Sequence, residues 1–442
     1  MTIIAHVSQA MQSLLTTTTE AAAVQLAFVK RADRAKFSPS TLVQTLVYGW
    51  LANPTASVGQ LAQTAARLGV DISPQAIHRR FTMATATLLH QVLTASMEEA
   101  IAADPVALPI LQRFTSVRIH DSTTIGLPDA LTSHYRGCGN ERSCGTAGLK
   151  CGVQLDLLTG ALCGLDLVDG RHSDHSLPVQ HASMPAGSLR LADLGFYNMA
   201  VFKALDQAGV FWLTRLQSHS RIRQPGQKEQ SILDVVTALG SVDAWEGPVI
   251  VGRDHRLRAR LLVQRVPAAV ATQRRARVEA EAHAKRRPVS RDAVELAAWA
   301  VVITNVPADK LSLAEAMVLL KIRWQIELLF KVWKSHGRVD EWRTKNPARI
   351  LCEIYAKLIG LVLQHWLLTA SAWTDAERSL FKAARVVLAY AGDLASAHAC
   401  PTQFAQVVAT VASVIRRLAR MNPRQKRPST AQRLRALTAG VG

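Results

Sequence analysis

The stretch Lys321 to Lys334, KIRWQIELLFKVWK, constrains this chain more than any other. Set on a helix at about 100° per residue, Ile322, Ile326, Leu329 and Trp333 fall in one narrow stripe that must pack against the rest of the fold. Arg323, Glu327 and Lys334 gather along the edge of that stripe, which sets one carboxylate between two cations. On these residues alone the simplest reading is a core helix with an ordinary i,i+4 ion pair, worth about a few tenths of a kcal/mol.

With 442 residues, 49% of them hydrophobic and 19% charged, the chain has apolar material for large cores and more than one domain. Lys+Arg at 52 against Asp+Glu at 33 leave a net charge of +19, and the excess recurs in separate blocks: Arg253 to Arg265, Arg274 to Arg287, and Arg416 to Arg435. Charge gathered in blocks points to a polyanionic partner, nucleic acid first, rather than to a basic surface serving solubility. The N-terminal MTIIAHVSQAMQSLL lacks the basic region, apolar core and cleavage site of a secretory signal, so export is not expected. The most apolar window, Leu358 to Trp373, is broken by Gln364 and His365 and reads as a buried helix, not a membrane span. Six cysteines form no CxxC pair, and His134, Cys138, Cys144 and Cys151 lack the spacing of a common zinc motif. Reduced thiols in a cytosolic protein are expected.

Residues 1 to about 105 carry helical periodicity. Within them Ser57 to Phe81 reads as a helix through Leu61 and Ala65, a turn at Gly69, and a second helix opened by Ser73 and Pro74 that carries His78, Arg79 and Arg80. Two readings fit: a helix-turn-helix whose second helix enters a major groove, and a helical hairpin in a small bundle. Ser116 to Thr124, SVRIHDSTT, alternates as a strand, with Val117, Ile119 and Asp121 on one side and Arg118, His120 and Ser122 on the other. An acid on the apolar side of a strand needs a cation or a metal, which makes Asp121 the first catalytic candidate.

A flexible loop is expected over Gly137 to Gly148, then strands Leu149 to Leu158 and Ala161 to Val168 turning at Thr159-Gly160. Asp156, Asp166, Asp169 and Asp174 are assigned to solvent faces or turns, and His172 and His175 to a solvated loop. Ser188 to Phe196, SLRLADLGF, is a short apolar strand ending at Asp193, followed by a helix, Asn198 to Gln207, and a strand, Val210 to Leu216. Asp193 therefore stands where a parallel strand gives way to a loop, the edge at which open α/β sheets place their chemistry. Further on, Pro248 to Val266 reads as a hairpin around Asp254-His255, Thr272 to Arg287 as a charged helix or loop, and Ala298 to Asn305 as a strand. Helices are expected over Ala348 to Leu368, Ala376 to Leu388 and Thr402 to Ala419, before a mobile basic tail, Asn422 to Arg435.

The block of Arg323, Trp324, Ile326, Glu327, Phe330 and Lys334 resembles the signature of DDE transposases of the insertion-sequence-four type, in which a Tyr, an Arg, the catalytic Glu and a Lys recur at set helical spacings. Leu320 stands at the Tyr position and departs from that pattern. DLGFYN, from Asp193, is similar to the second-Asp block of the family, and AWAVVITN, from Ala298, resembles its strand whose Trp receives a flipped base. The likeness covers most of residues 30 to 420. It implies an α/β fold with an RNase H-like mixed sheet, a β-rich insertion between the second Asp and the Glu, and helical N- and C-terminal regions. The expected division is a helical DNA-binding region 1–105, a catalytic core 106–216 and 299–345, a basic insertion 217–298 that grips the transposon end, and a helical region 346–442.

The resemblance further implies Asp121, Asp193 and Glu327 as catalytic metal ligands, holding two magnesium or manganese ions about 4 Å apart with Asp121 bridging. Arg323 and Lys334 become phosphate clamps with Lys331 beside them, and His78, Arg79 and Arg80 become DNA contacts. Trp299 takes either the base-receiving role or that of a packing aromatic at a domain interface. The expected activity is cut-and-paste transposition on double-stranded DNA, both terminal inverted repeats and target, by a homodimer in a synaptic complex. A bacterial cytoplasmic, nucleoid-associated setting without membrane attachment goes with it. An RNase H-like nuclease that cuts without joining, and a DNA-binding inhibitor without catalysis, are the alternatives.

Overall fold

The computed structural model describes residues 2–28, 37–139, 145–252, 256–422 and 430–439. The fold is mixed α/β, with ten strands paired both parallel and antiparallel and helical regions toward both ends. It divides into two compact units, each gathered from three separate segments.

The first unit comprises Met1–Ala107, Ser122–His172 and Gln325–Lys426. At its centre is the helix Pro347–Ala372, opened by Asn346 accepting from the Arg349 N–H and by Pro347 in the first turn. By length and composition this helix would cross a membrane, but its apolar window is wholly buried inside the unit, as the sequence leads one to expect. Helices Ile3–Ser13, Pro39–Ala52, Met83–Ser96, Leu380–Ala397 and Pro401–Leu418 pack around it. The close approach with Pro39–Ala52 is at Gly360, beside the Leu51 side chain and the Val47 carbonyl.

Three strands enter this unit: the Ser122–Leu127 part of β1 (Val117–Leu127), then β2 (Ala147–Asp156) and β3 (Leu162–Asp169), with β2 in the middle. The β2–β3 hairpin turns at Gly160 with φ +80°, as the Thr159-Gly160 pair predicts. Its tip is fixed to the central helix: His365 Nε2 donates to the Gly160 carbonyl at 2.7 Å, and Trp373 Nε1 donates to the Leu157 carbonyl at 3.0 Å. Asp156, expected on a solvent face or in a turn, is instead the last residue of β2 and buried. Its carboxylate accepts from the Leu158 N–H and the Thr159 hydroxyl, which replaces the lost water.

The central helix also carries a buried ion pair. Lys357 Nζ lies 2.8 Å from Glu353 Oε1, with the two side chains only 1% and 5% exposed, and donates further to the Arg338 and Glu341 carbonyls. Burial raises the Glu353 pKa and lowers that of Lys357, while each partner pulls the other back toward the charged form. Lys357→Ala leaves the carboxylate buried without this partner and is expected to lower the unfolding free energy by about 3–5 kcal/mol in urea titrations. Glu353→Gln combined with Lys357→Met should recover most of that loss.

Two buried histidines of the same unit give it an acid limit. His365 and His398 are both pushed down to about 4, in each case first by burial. Since the carbonyl of Gly160 can only accept, Nε2 of His365 carries the proton, and a second proton at buried Nδ1 finds no acceptor. A depressed folded-state pKa contributes stability above the unfolded value of about 6.5 and loses it as pH falls toward 4. At pH 5 each histidine should subtract about 2 kcal/mol relative to pH 7.5. Urea unfolding of the wild type and of His365→Gln and His398→Gln at the two pH values reads the difference, which should shrink in each variant.

The second unit comprises Leu108–Asp121, Ser173–Trp324 and Arg427–Gly442. Here the first residues of β1 pair in parallel with β4 (Leu189–Ala192), which pairs in parallel with β5 (Phe211–Arg215). The sheet continues antiparallel, through strands introduced in chain order as β6 (Arg221–Arg223), β7 (Gln230–Ser231), β8 (Ala244–Val251), β9 (Leu257–Arg265) and β10 (Trp299–Thr304). Their spatial order after β5 is β10, β9, β8, β6, β7. The β8–β9 hairpin is where the sequence places one, while its expected turn residues Asp254 and His255 lie outside the described residues. Phe202 stacks on Trp212 at 4.8 Å in a core that includes Val235, Leu261 and Ile303.

Ala268–Ala284 is a helix that buries only Ala271, in keeping with its charged sequence. The tail differs from expectation. Residues 423–429 lie outside the described residues, but Thr430–Ala439 is a helix, packed on Leu313–Ile322 and Pro109–Gln112 through Leu434, which is 1% exposed. A buried apolar residue thus stands in a segment whose composition alone reads as mobile.

Candidate active site

Strand register brings the first two candidates together. Ile119 of β1 lies opposite Leu191 of β4, and the period of two puts Asp121 and Asp193, each two residues further on, at neighbouring positions of the same sheet face. Asp193 leaves the strand as the residue that immediately precedes a short turn of helix, Leu194–Phe196. At Gly195 any side chain would meet the Asp174 carboxylate, a neighbour that the sequence reading assigned to a solvent face or turn. Asp193 is thus where the sequence predicts it, at the C-terminal end of a parallel strand.

Both carboxylates turn to one cation. Arg323 Nη1 donates to Asp121 Oδ2 at 2.8 Å, and Arg323 Nη2 lies 3.7 Å from Asp193 Oδ2. Side chains of Arg323 and Asp121 are 16% and 18% exposed, so their bond is screened far less than a surface ion pair. Asp193, at 43%, makes the looser and wetter contact.

The helix expected over Lys321 to Lys334 is interrupted at Arg323: one helix ends at Ile322 and the next runs Trp324–Ser335. Arg323 itself keeps helical dihedrals, φ −48° and ψ −29°, and Ile322, Ile326, Leu329 and Trp333 are all buried. Glu327 stands half-buried in the first turn of the second helix, where the helix dipole favours a negative charge. Lys334, in its last turn, donates to the Thr124 carbonyl at 3.1 Å, and Lys331 is exposed. Leu320 is half-buried on the preceding helix.

The other face of β1 is covered as well. His120, placed with the polar residues of β1, is 1% exposed. Burial first, then the charges of Arg190 and Arg118, holds its pKa well below the usual histidine range. Arg190 is equally buried and lies opposite Arg118 across the parallel pair. It donates to Gln180 at 2.6 Å and sits over the Phe202 ring, and burial lowers its pKa to about 9. The signal for Arg190 was present in SLRLADLGF, where the period of two opposes it to the strand's apolar residues.

Trp299 also differs from the exposed aromatic expected for base capture. It is 8% exposed, belongs to the apolar core, and is covered by Arg265, its cross-strand partner, whose guanidinium lies 4.2 Å from the ring centroid. In the N-terminal region the two capped helices are as expected, Val58–Arg67 with a Ser57–Gln60 capping box, a turn at Gly69, and Ser73 capping the next helix. That second helix is only Pro74–His78, however, so Arg79 caps it and Arg80 lies beyond it. His78 and Arg79 are exposed, while Arg80 is taken up by the Phe37 carbonyl and ring. Among the described residues no three His, Cys, Asp or Glu side chains gather as a ready-made metal centre, and Cys144 of the His134, Cys138, Cys144 and Cys151 set lies outside them.

The segment 112–363, which holds Asp121, Asp193, Arg323 and Glu327, matches the family profile described as Transposase DDE domain, over more than half of the chain. The chain belongs to the DDE transposase family. It is 27% identical over 367 residues to the transposase for insertion sequence element IS231F of Bacillus thuringiensis subsp. israelensis, covering 78% of this chain and 76% of that protein. The transposase for IS1151 of Clostridium perfringens is 25% identical over 268 residues, 57% of this chain and 56% of its own. DDE transposases generally use divalent metal ions. Asp121 and Asp193 fit that requirement in kind: both offer hard oxygen donors, and both already converge on one positive charge.

Arg323 should be coupled energetically to the acidic pair. In a double-mutant cycle of Arg323→Met and Asp121→Asn, urea unfolding should give a coupling energy of about 1–3 kcal/mol. A value near zero would mean that the contact contributes nothing to the free protein.

Proposed function

We propose that this transposase cleaves DNA at the ends of the element that encodes it and joins the freed ends to target DNA, with Asp121, Asp193 and Glu327 as the metal-holding carboxylates of both steps. The observation that carries this reading is the convergence of Asp121 and Asp193 on Arg323, four residues ahead of Glu327, within the segment that matches the DDE domain. Two magnesium or manganese ions per site would supply an activated attacking hydroxyl and a neutralised leaving oxygen. The protein's part is to fix the donors: Asp121 on β1, Asp193 at the end of β4, and Glu327 on a packed helix.

Arg323, Lys334 and Lys331 then act on the phosphate, the guanidinium as a planar fork and the ammonium groups as movable point charges. In the first step a water oxygen bonds to phosphorus and the 3′ oxygen leaves with a proton; in the second that 3′-OH attacks a target phosphate and displaces another 3′ oxygen. Neither step needs a covalent bond to the protein. The parallel β1, β4 and β5 support an RNase H-like core, residues 217–298 with β6 to β9 the insertion, and residues 1–105 and 346–442 the flanking helical regions, the first of them contacting DNA through His78 and Arg79. We assign Trp299, capped by Arg265, to packing. A homodimer would align the two element ends.

The test is a magnesium-dependent assay on DNA carrying those ends, comparing wild type with Glu327→Ala. End cleavage and strand transfer should fall at least about 10³-fold in the variant while DNA binding persists. Cleavage without joined products would favour the nuclease, and binding without cleavage in either protein the inhibitor.

A further inference from the structure

The contact that identifies the acidic pair also obstructs it. Asp121 and Asp193 sit on neighbouring parallel strands, about 4.8 Å apart in backbone spacing, and their like charges repel. Arg323 answers that repulsion by bonding Asp121 Oδ2 at 2.8 Å and approaching Asp193 Oδ2 at 3.7 Å. A divalent ion bound to the same oxygens at about 2.0–2.6 Å would meet the guanidinium at close range, cation against cation. The ion and Arg323 therefore compete for one pair of carboxylates.

We infer that Arg323 is a built-in competitor of the metal, released when a DNA phosphate takes its guanidinium, so that metal and DNA bind this protein cooperatively. The inference rests on the metal-site reading given under Proposed function. A phosphate is the one partner in the reaction that matches the planar fork as well as a carboxylate does. Arg323 is placed to change partners, because it lies at the single-residue joint between two helices and its long side chain reaches out from there to the pair. By linkage, whatever DNA adds to metal affinity, metal adds to DNA affinity.

Manganese binding to the full chain, followed by the electron paramagnetic resonance of free Mn²⁺, tests this without reference to turnover. In the absence of DNA, Arg323→Gln should bind Mn²⁺ about 10-fold more tightly than wild type, and Arg323→Lys, which keeps the charge, should stay near wild type. Adding a duplex with the element's end should tighten Mn²⁺ binding about 10-fold in wild type and little in Arg323→Gln. Asp121→Asn placed on Arg323→Gln should abolish the gain, which ties the ion to this pair. A folded Arg323→Gln protein, checked by circular dichroism, that binds Mn²⁺ no more tightly than wild type overturns the competition and leaves the metal site standing. If neither protein binds Mn²⁺, with or without DNA, the metal-site reading falls along with it.

Discussion

Two carboxylates held side by side on parallel strands repel each other, and the second unit is arranged around that repulsion. Backbone register forces Asp121 and Asp193 together, so the charge cannot relax by moving apart; it has to be met by a cation. Arg323 meets it from the joint between two helices. The opposite face of the same strands carries Arg118 opposite Arg190, with His120 kept neutral beside them. The sheet is thus acidic on one side and basic on the other, a polarity that burial of Arg190 keeps from being screened away.

The first unit handles buried charge in another way. Its central helix closes Lys357 against Glu353 and spends the remaining ammonium protons on two carbonyls, so no polar valence of the lysine is left to water. The β2–β3 hairpin is tied to that helix by backbone carbonyls that accept from His365, Thr369 and Trp373. Gly160 is required twice there, for its positive φ and for the indole of Trp373 lying where a side chain would begin.

What could be read from the sequence was what local chemistry decides. The caps at Ser57 and Ser73, the turn at Gly160, the buried stripe from Ile322 to Trp333 and the strand end at Asp193 each depend on residues within a few positions of one another. The partners of Arg323 did not show, because Glu327 is its neighbour in sequence and Asp121 and Asp193 are its neighbours only after the strands assemble. The cover of Trp299 was equally out of sight, since Arg265 comes from across a strand pair. Alternation gave the side His120 takes but not its burial, because both faces of β1 are covered there and polarity no longer marks the side that meets solvent. The helix at Thr430–Ala439 was hidden by a basic composition, although Leu434 within it is buried.

The interleaving of the two units sets the order in which the chain can fold. Each is assembled from three stretches, and the chain passes between them after Ala107, within β1, after His172, after Trp324 and after Lys426. On a ribosome the first unit therefore waits for Gln325–Lys426, which brings its own central helix, and the second still lacks Arg427–Gly442 when that helix has emerged. The parts of Pro39–Ala52 and Met83–Ser96 that pack on Pro347–Ala372 have no cover until that helix is made, and no single backbone cut would release either unit whole.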